Sequence, residues 1–206
     1  MGLMKKTLTL LFMLMMIVGA CKAATKEDVY NGEEVTKVKR LAIAYPDYIQ
    51  TLDKEPSINE FINLILEASK VSKLTIVSYD DMASKIKQNT GLDIKVLPKK
   101  DARKIFKENV YKYVDGYVSF TLANNSRLNM FCEVYAADSH ELLYVLRVEG
   151  GKSNEVKNAR TYKEMAEEFY KAFDSAIQSE IKKKEKEEKD MQKEKKKAEK
   201  KKEKKK

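Results

Sequence analysis

Between residues 37 and 180, apolar residues either alternate with polar ones or recur every three or four positions. Alternation is typical of half-buried strands, and the longer period is typical of amphipathic helices. Together the two periods predict the element order βαβα(β)αβββα. Strands are predicted at 38–45, 73–78, 116–123, 127–137 and 141–149, with a short strand or loop at 93–97. Helices are predicted at 58–70, from Asp80 or Asp81 to Gly91, at 99–112 and from residue 159 onward.

The ends and faces of the predicted helices carry further signals. Ser57 and Glu60 form an S-x-x-E capping box at the start of the first helix. Asp80 or Asp81 is expected to cap the second helix, which ends at Gly91. The last helix has a broad apolar stripe, which predicts core packing rather than a cofactor site. The stripe consists of Tyr162, Met165, Ala166, Phe169, Tyr170, Phe173, Ala176 and Ile177.

The order of elements indicates the fold class. The first half contains βαβ units, which pair their strands in parallel. The second half is an antiparallel meander, because three alternating segments are joined by short turns. We therefore expect a single domain over residues 37–180, of mixed α+β class, with a mixed sheet of about five strands and helices packed on it. Its long C-terminal helix is expected to run into a charged tail.

The first 20 residues have the three parts of a secretory signal peptide. Lys5 and Lys6 supply a positive start, and Leu8–Val18 is an almost entirely apolar run. Gly19 and Ala20 are small residues suited to protease cleavage. The apolar run is shorter than the roughly 20 residues that a membrane-spanning helix needs. We therefore predict that this segment directs export and is removed.

The sequence VGAC, which ends at Cys21, resembles the lipobox of bacterial lipoproteins. The resemblance implies a diacylglyceryl group on the Cys21 sulfur and cleavage just before it, although leucine is more usual where Val18 stands. The alternative is an ordinary signal peptide with an incidental cysteine. Lys22 follows the cysteine where an aspartate would suggest inner-membrane retention, which favours the outer membrane if the cell has one. Residues 21–36 are predicted to form a polar tether.

Basic residues are concentrated at the two ends of the chain. The formal net charge is +9, but residues 21–180 hold 24 basic and 25 acidic residues. A basic nucleic-acid-binding face is therefore not supported, and nucleic acid is not an expected partner. Residues 181–206 contain 15 lysines and 7 acidic residues. We expect a helical or disordered tail, either simply solvated or touching an anionic envelope surface through Lys182–Lys206.

The sequence lacks the usual motifs of catalysis, cofactor binding and metal binding. Its one histidine, His140, falls in a predicted turn, which does not supply the geometry of a catalytic triad. Cys132 lies in a predicted strand and is expected to be a small buried hydrophobe. Asp80 and Asp81 are the carboxylate pair that a polymer-cleaving enzyme would use, but helix capping explains them more simply. No catalytic residue, cofactor or metal is therefore predicted.

Three segments resemble a family of bacterial envelope domains. They are the first strand RLAIAYP, the meander over residues 114–148 and the closing amphipathic helix. The family includes the TolB amino-terminal domain, the periplasmic part of curli-secretion lipoproteins and lipoprotein activators of penicillin-binding proteins. The resemblance covers residues 37–180 and is one of pattern, so it assigns no functional residues.

Three hypotheses about function follow. The first is a non-catalytic lipoprotein, anchored through lipid on Cys21, that binds or scaffolds an envelope partner of unknown identity. The second is a hydrolase of envelope polymers that uses Asp80 and Asp81. The third is a subunit of an export assembly. A concave pocket with convergent acidic groups would favour the second hypothesis, and a ring-forming interface would favour the third.

Overall fold

The computed structural model describes residues 26–49, 55–124, 127–152 and 158–203, so the predicted signal peptide and Cys21 lie outside it. The strands are β1 (Lys26–Val29), β2 (Arg40–Ile43), β3 (Asp47–Ile49), β4 (Thr75–Val77), β5 (Gly116–Asn124), β6 (Arg127–Ala136) and β7 (Leu142–Lys152). The helices are α1 (Gly32–Val35), α2 (Ile58–Ala68), α3 (Tyr79–Thr90), α4 (Lys99–Val110) and α5 (Ala159–Glu203), and a short 3₁₀ turn covers Ser69–Val71.

All of these strands belong to one mixed sheet with the order β1-β7-β6-β5-β2-β4, and β3 also pairs with β5. Strands β2, β4 and β5 are parallel neighbours, and β3 runs parallel to β5. Strands β5, β6 and β7 form an antiparallel meander, to which β1 adds an antiparallel edge. The predicted mixed sheet and meander are confirmed. The prediction of about five strands is too low, since the sheet has seven.

The two strands that the sequence pattern missed are short and lack alternation. All four residues of β1 are exposed, and the strand pairs only with β7. Strand β3 follows Pro46 and pairs with β5 over three residues. An exposed edge strand buries no apolar face, so it leaves no period to detect. Because β1 and α1 fall within residues 21–36, the sheet takes up part of the segment predicted as a tether.

One face of the sheet is covered by α2 and α5. All eight residues of the predicted α5 stripe are buried. The Phe169 ring meets Phe120 of β5 edge-on, with centroids 5.2 Å apart, and the Phe173 ring lies 5.0 Å from Tyr144 of β7. Such aromatic pairs contribute roughly 0.5–1.5 kcal/mol beyond the burial of their area. This face of the meander is therefore closed by an aromatic core.

The opposite face of the sheet is covered only in part. Helices α3 and α4 pack there, and their side chains Met82, Ile86 and Phe106 form a second buried cluster with β2 and β5. Farther along the sheet, Phe131 of β6 and Arg147 of β7 are left half-buried. The Arg147 guanidinium lies 5.9 Å from the centre of the Phe131 ring. The sheet thus has one closed face and one partly open face.

The start of α3 corrects one expectation. The helix begins at Tyr79 and is capped by Ser78, whose Oγ accepts a hydrogen bond from the Asp81 backbone N–H at 3.0 Å. The prediction that Asp80 or Asp81 is the cap is therefore wrong. Both carboxylates lie in the first turn, where they stabilise the positive end of the helix dipole. The helix ends at Gly91 with a left-handed φ of 75°, as predicted.

Helix α5 extends well beyond the sheet. It has 45 residues, which corresponds to a length of about 68 Å. Past Ile181 most of the described side chains are exposed. An exception is Lys184, whose Nζ donates a hydrogen bond to Thr36 Oγ1 at 3.0 Å. Of the two forms expected for the tail over residues 181–206, the structure shows a helix as far as Glu203.

The closed face supplies a stability prediction. Replacing Phe169 by Ala should lower the free energy of unfolding by about 3–5 kcal/mol, because the ring is fully buried and its loss leaves a cavity. Phe131→Ala, at a half-buried ring on the open face, should cost only about 1 kcal/mol. Urea denaturation of the full chain measures both. Equal losses would contradict the assignment of the main core to the α5 face.

Candidate functional site

A cleft lies on the partly open face, between α4 and strands β5 and β6. Its volume is 520 Å³, within the range of about 300–1,000 Å³ that is usual for ligand sites. It lies where the chain leaves the carboxyl ends of the parallel strands β2 and β4. Open α/β sheets bind their ligands at this end of the strands, because the loops there diverge. The cleft is therefore the candidate functional site.

Aromatic rings line one wall of the cleft. Tyr45 follows β2, and its ring contacts that of Tyr79 at 5.2 Å between centroids. Tyr79 stacks on Phe106 of α4 at 6.5 Å, and Phe106 meets Tyr117 of β5 edge-on at 5.7 Å. Tyr117 in turn stacks on Tyr135 of β6 at 5.2 Å. The five rings form a continuous aromatic wall that draws residues from four separate elements and the loop after β2.

Cations line the facing wall. Lys99, Arg103 and Lys107 occur four residues apart on α4, and Lys95 precedes them by the same interval. Residues four apart on a helix share one face, so the three helical cations form a row along the cleft. We call these four residues the cation row. Residues 93–97, predicted as a strand or a loop, form the loop from which Lys95 enters the cleft.

Carboxylates neutralise part of the cation row. Asp47 at the start of β3 accepts a hydrogen bond from Lys99 and forms an ion pair with Arg103. The Lys95 Nζ lies 2.7 Å from an Asp80 carboxylate oxygen. Lys107 lies 5.9 Å from the centre of the Tyr135 ring and, within the described residues, has no carboxylate within ion-pair distance. The row therefore keeps an excess of positive charge.

Glu133 is the second carboxylate in the cleft lining. Its Oε2 accepts a hydrogen bond from the Tyr135 hydroxyl at 2.8 Å. This bond and burial, which contributes more, raise the pKa of Tyr135 well above its usual value. The Tyr135 hydroxyl therefore stays protonated at neutral pH and can donate this hydrogen bond. The lining as a whole has four cations against two carboxylates.

Tyr117 provides a polar group that the protein does not satisfy. The residue is 2% exposed, and its hydroxyl has no hydrogen-bond partner among the described residues. Burial raises the pKa of Tyr117 to about 12. Burial likewise raises the pKa of Tyr79 to about 12. Buried hydroxyls are normally paired, so an orphaned one in a cleft wall is available to a ligand.

The residues singled out by sequence do not assemble into this cleft. Asp80 reaches it only through Lys95, and Asp81 Oδ2 accepts a hydrogen bond from the Ser78 hydroxyl at 2.7 Å. The two carboxylates therefore do not face each other across a pocket. His140 lies in a turn with a φ of 57°, as expected for a turn position. Cys132 is fully buried in the core, where burial raises its thiol pKa and makes it unreactive.

Sequence reasoning missed most of the cleft. Its tyrosines appear as ordinary core positions, because their shared surface exists only after β2, α3, α4 and β5 come together. One signal was present. The spacing of Lys95, Lys99, Arg103 and Lys107 places cations at every fourth position, where a solvated helix would also carry them. Only the facing aromatic wall distinguishes the row from an ordinary solvated face.

The described residues contain no group of three or more His, Cys, Asp or Glu side chains arranged to hold a metal ion. Within the same ranges no helix combines the length and apolar composition needed to cross a membrane.

Comparisons with known proteins give a likeness of fold. No family model matches the chain, and neither does any curated protein. Among solved structures, the chain is similar to the LpoB C-terminal domain from Salmonella enterica. That similarity has 16% identity, covers 57% of this chain and 93% of the other, and gives a TM-score of 0.42.

Two other solved structures show a likeness of the same order. The LpoB C-terminal domain from Escherichia coli has 14% identity, covers 66% of this chain and 91% of the other, and gives a TM-score of 0.42. Lipoprotein GNA1162 from Neisseria meningitidis has 10% identity, covers 58% of this chain and 85% of the other, and gives a TM-score of 0.40. These likenesses concern the fold alone, and no residue role is taken from them.

The orphaned hydroxyl of Tyr117 gives a prediction about stability. Tyr117→Phe should keep or raise the free energy of unfolding at neutral pH, by up to about 1 kcal/mol, because it removes a buried polar group without a partner. Its pKa is raised in the folded state, so ionisation of the unfolded chain lowers stability as pH rises from 10 to about 12. The variant should lose less stability across this window. Urea denaturation at several alkaline pH values measures the difference, and an unchanged slope would contradict it.

Proposed function

We propose that this chain is an exported, membrane-anchored lipoprotein of the bacterial envelope that acts as a non-catalytic binding module. The observation that carries the proposal is the cleft with its aromatic wall, its cation row and the orphaned Tyr117 hydroxyl. Tyrosine and arginine are among the residue types enriched at binding hot spots, because they combine apolar area with directed hydrogen bonds. The cleft therefore serves to hold part of a partner.

The rim of the cleft supports a protein partner. The loop between α3 and α4 contributes Ile94, Lys95 and Leu97 to the lining. In the same loop, Val96 is 79% exposed and Leu92 is 47% exposed. Exposed apolar side chains beside a concave site gain by burial against a partner. The rim and the cleft together offer one contact surface.

The chemistry of the lining favours binding over catalysis. A carboxylate that acts as a general base or nucleophile needs free access to substrate. Asp47 is held by Lys99 and Arg103, and Glu133 is engaged by Tyr135. These pairings support a binding role for the cleft over the alternative of a carboxylate-dependent hydrolase.

The ends of the chain complete the proposal. Lipid on Cys21 would hold the protein on the extracytoplasmic side of a membrane, outer if the cell has two. The lysines of Lys182–Lys206 would touch an anionic envelope surface, where each contributes about 1 kcal/mol at low screening. Most of the described side chains of α5 beyond Ile181 are exposed, which supports a contact of this kind.

The anchor can be tested by metabolic labelling with a clickable palmitate analogue. Cys21→Ala should abolish labelling and release the protein from membranes, because the acylated sulfur is gone. Cys132→Ala is the matched control, since Cys132 is fully buried and its replacement should leave labelling intact. Labelling that persists in Cys21→Ala, or that is lost only in Cys132→Ala, would contradict the assignment of the anchor.

The binding role can be tested by photo-crosslinking in cells. A photoreactive amino acid at Val96, on the rim, should form a discrete adduct, because the side chain projects beside the cleft. The same amino acid at Tyr30, which is 61% exposed on another part of the surface, is the control and should not form that adduct.

A variant that blocks the cleft makes this test specific. Ser119 lies on β5 in the cleft lining and is half-buried. Ser119→Phe should fill the cleft and abolish the Val96 adduct while leaving membrane attachment unchanged. An adduct that survives Ser119→Phe, or that forms equally from Tyr30, would show that the cleft does not hold the partner.

A further inference from the structure

We propose that the occupant of the cleft is an acidic protein segment in extended conformation, with carboxylates at alternate positions and an aromatic side chain between them. This inference rests on the binding role proposed above and adds the chemistry of the partner. It is carried by the spacing and charge of the cation row, by the aromatic wall opposite and by the orphaned Tyr117 hydroxyl.

The spacing of the cation row fits an extended chain. Successive cations on α4 are four residues apart, which corresponds to a rise of about 6 Å. In an extended peptide, alternate side chains lie on one side about 6.7 Å apart. Acidic side chains at alternate positions can therefore each meet one cation as the peptide runs along α4. The side chains between them point away from α4, toward the tyrosines of the sheet.

The charge of the cleft selects acidic side chains. Lys107 has no carboxylate within ion-pair distance among the described residues. Lys99 and Arg103 share the single carboxylate of Asp47. Arg103 and Lys99 are 43% and 46% exposed in their side chains, so incoming carboxylates reach them from solvent. Paired guanidinium and carboxylate groups form strong, directed hydrogen bonds.

The aromatic wall and the rim favour a peptide over an anionic polysaccharide. A ring inserted between α4 and the sheet would meet the half-buried ring of Tyr135, and a backbone carbonyl beside it could accept a hydrogen bond from the Tyr117 hydroxyl. Val96 and Leu92 add exposed apolar surface at the entrance. A sugar acid carries no apolar side chain to cover them, whereas a peptide does. The apolar contacts therefore favour a peptide, while the cations alone would accept either.

The probe is the synthetic peptide acetyl-Glu-Trp-Glu-Gly-Glu-amide, titrated into the full chain in detergent. The protein has no tryptophan, so tryptophan emission reports on the peptide alone. We expect a blue shift and saturable binding that weakens as salt is added. The same peptide with Gln in place of Glu should bind at least about tenfold more weakly, and the version with Lys should not bind. Equal binding of the Glu and Gln peptides would overturn the proposal.

Substitutions in the cation row should shift affinity in both directions. Arg103→Gln should weaken binding of the Glu peptide about tenfold, whereas Lys104→Gln, the same change of charge on α4 but outside the lining, should have little effect. Asp47→Asn should strengthen binding, because it frees Lys99 and Arg103 from their internal partner. Equal effects of Arg103→Gln and Lys104→Gln would mean that only net charge matters, and the proposal would fail.

Hydroxyl variants test the aromatic wall. Tyr117→Phe should weaken binding of the Glu peptide without loss of stability. Tyr170→Phe removes another orphaned buried hydroxyl, on the opposite face of the sheet, and should leave binding unchanged. If both variants bind like the unmodified chain, Tyr117 does not contact the peptide and the proposed pose is wrong.

Competition with trigalacturonate, a sugar-acid oligomer of the same charge as the peptide, tests whether the cleft prefers a peptide to a polysaccharide. Trigalacturonate should displace the Glu peptide poorly at equal concentration, and equal displacement would overturn the choice of a peptide. If no peptide binds while the Val96 adduct still depends on an open cleft, the acidic-segment proposal fails and the binding role stands. If the adduct also fails to depend on the cleft, both proposals fall.

Discussion

The aromatic stripe of α5 packs on only one of the two faces of the meander, and the arrangement of the other elements follows from this. The stripe supplies the largest rings of the core, among them Phe169 and Phe173, which contact β5 and β7. Helices α2 and α5 fill this face, which leaves α3 and α4 to cover the opposite one. Two helices of 12 residues each cannot cover the whole sheet, so part of the second face stays open. The cleft lies at the border between its covered and open parts.

A break in the first parallel strand gives the cleft its polar groups. Pro46 lacks a backbone N–H and separates β2 from β3. On either side of this proline, Tyr45 and Asp47 both line the cleft, because residues two apart along an extended chain lie on the same side. Asp47 then holds two of the cations of α4, which fixes the distance between the helix and the sheet. One carboxylate pairs with two cations, so this interaction positions α4 and also leaves part of the positive charge on Lys99 and Arg103 available to a ligand.

The sequence alone predicted the elements that bury a periodic apolar face. The α5 stripe, the meander and the Ser57 cap of α2 were all predicted, because a buried surface imposes a period and a cap imposes a short local motif. The sequence pattern did not reveal β1 and β3, which are exposed or short. It predicted helix α3 but not its cap, because Ser78, Asp80 and Asp81 are all residue types that cap helices. The cleft could not be predicted because its walls come from positions far apart in the chain. Cys21 and its lipid remain a prediction from the leader sequence.

The position of α5 also separates its lysine-rich extension from the cleft. Its exposed extension begins beside α1, where Lys184 donates a hydrogen bond to Thr36, so the rod leaves the domain next to the amino-terminal elements of the fold. The cleft lies on the other face of the sheet, bounded by α4. A surface contacted by the lysines of the extension therefore does not cover the cleft, because the sheet stands between them. If the proposed lipid anchor and the lysines of the extension both contact a membrane surface, the cleft remains accessible to the proposed partner, and the cation row can bind that partner while the lysines of the tail contact the membrane.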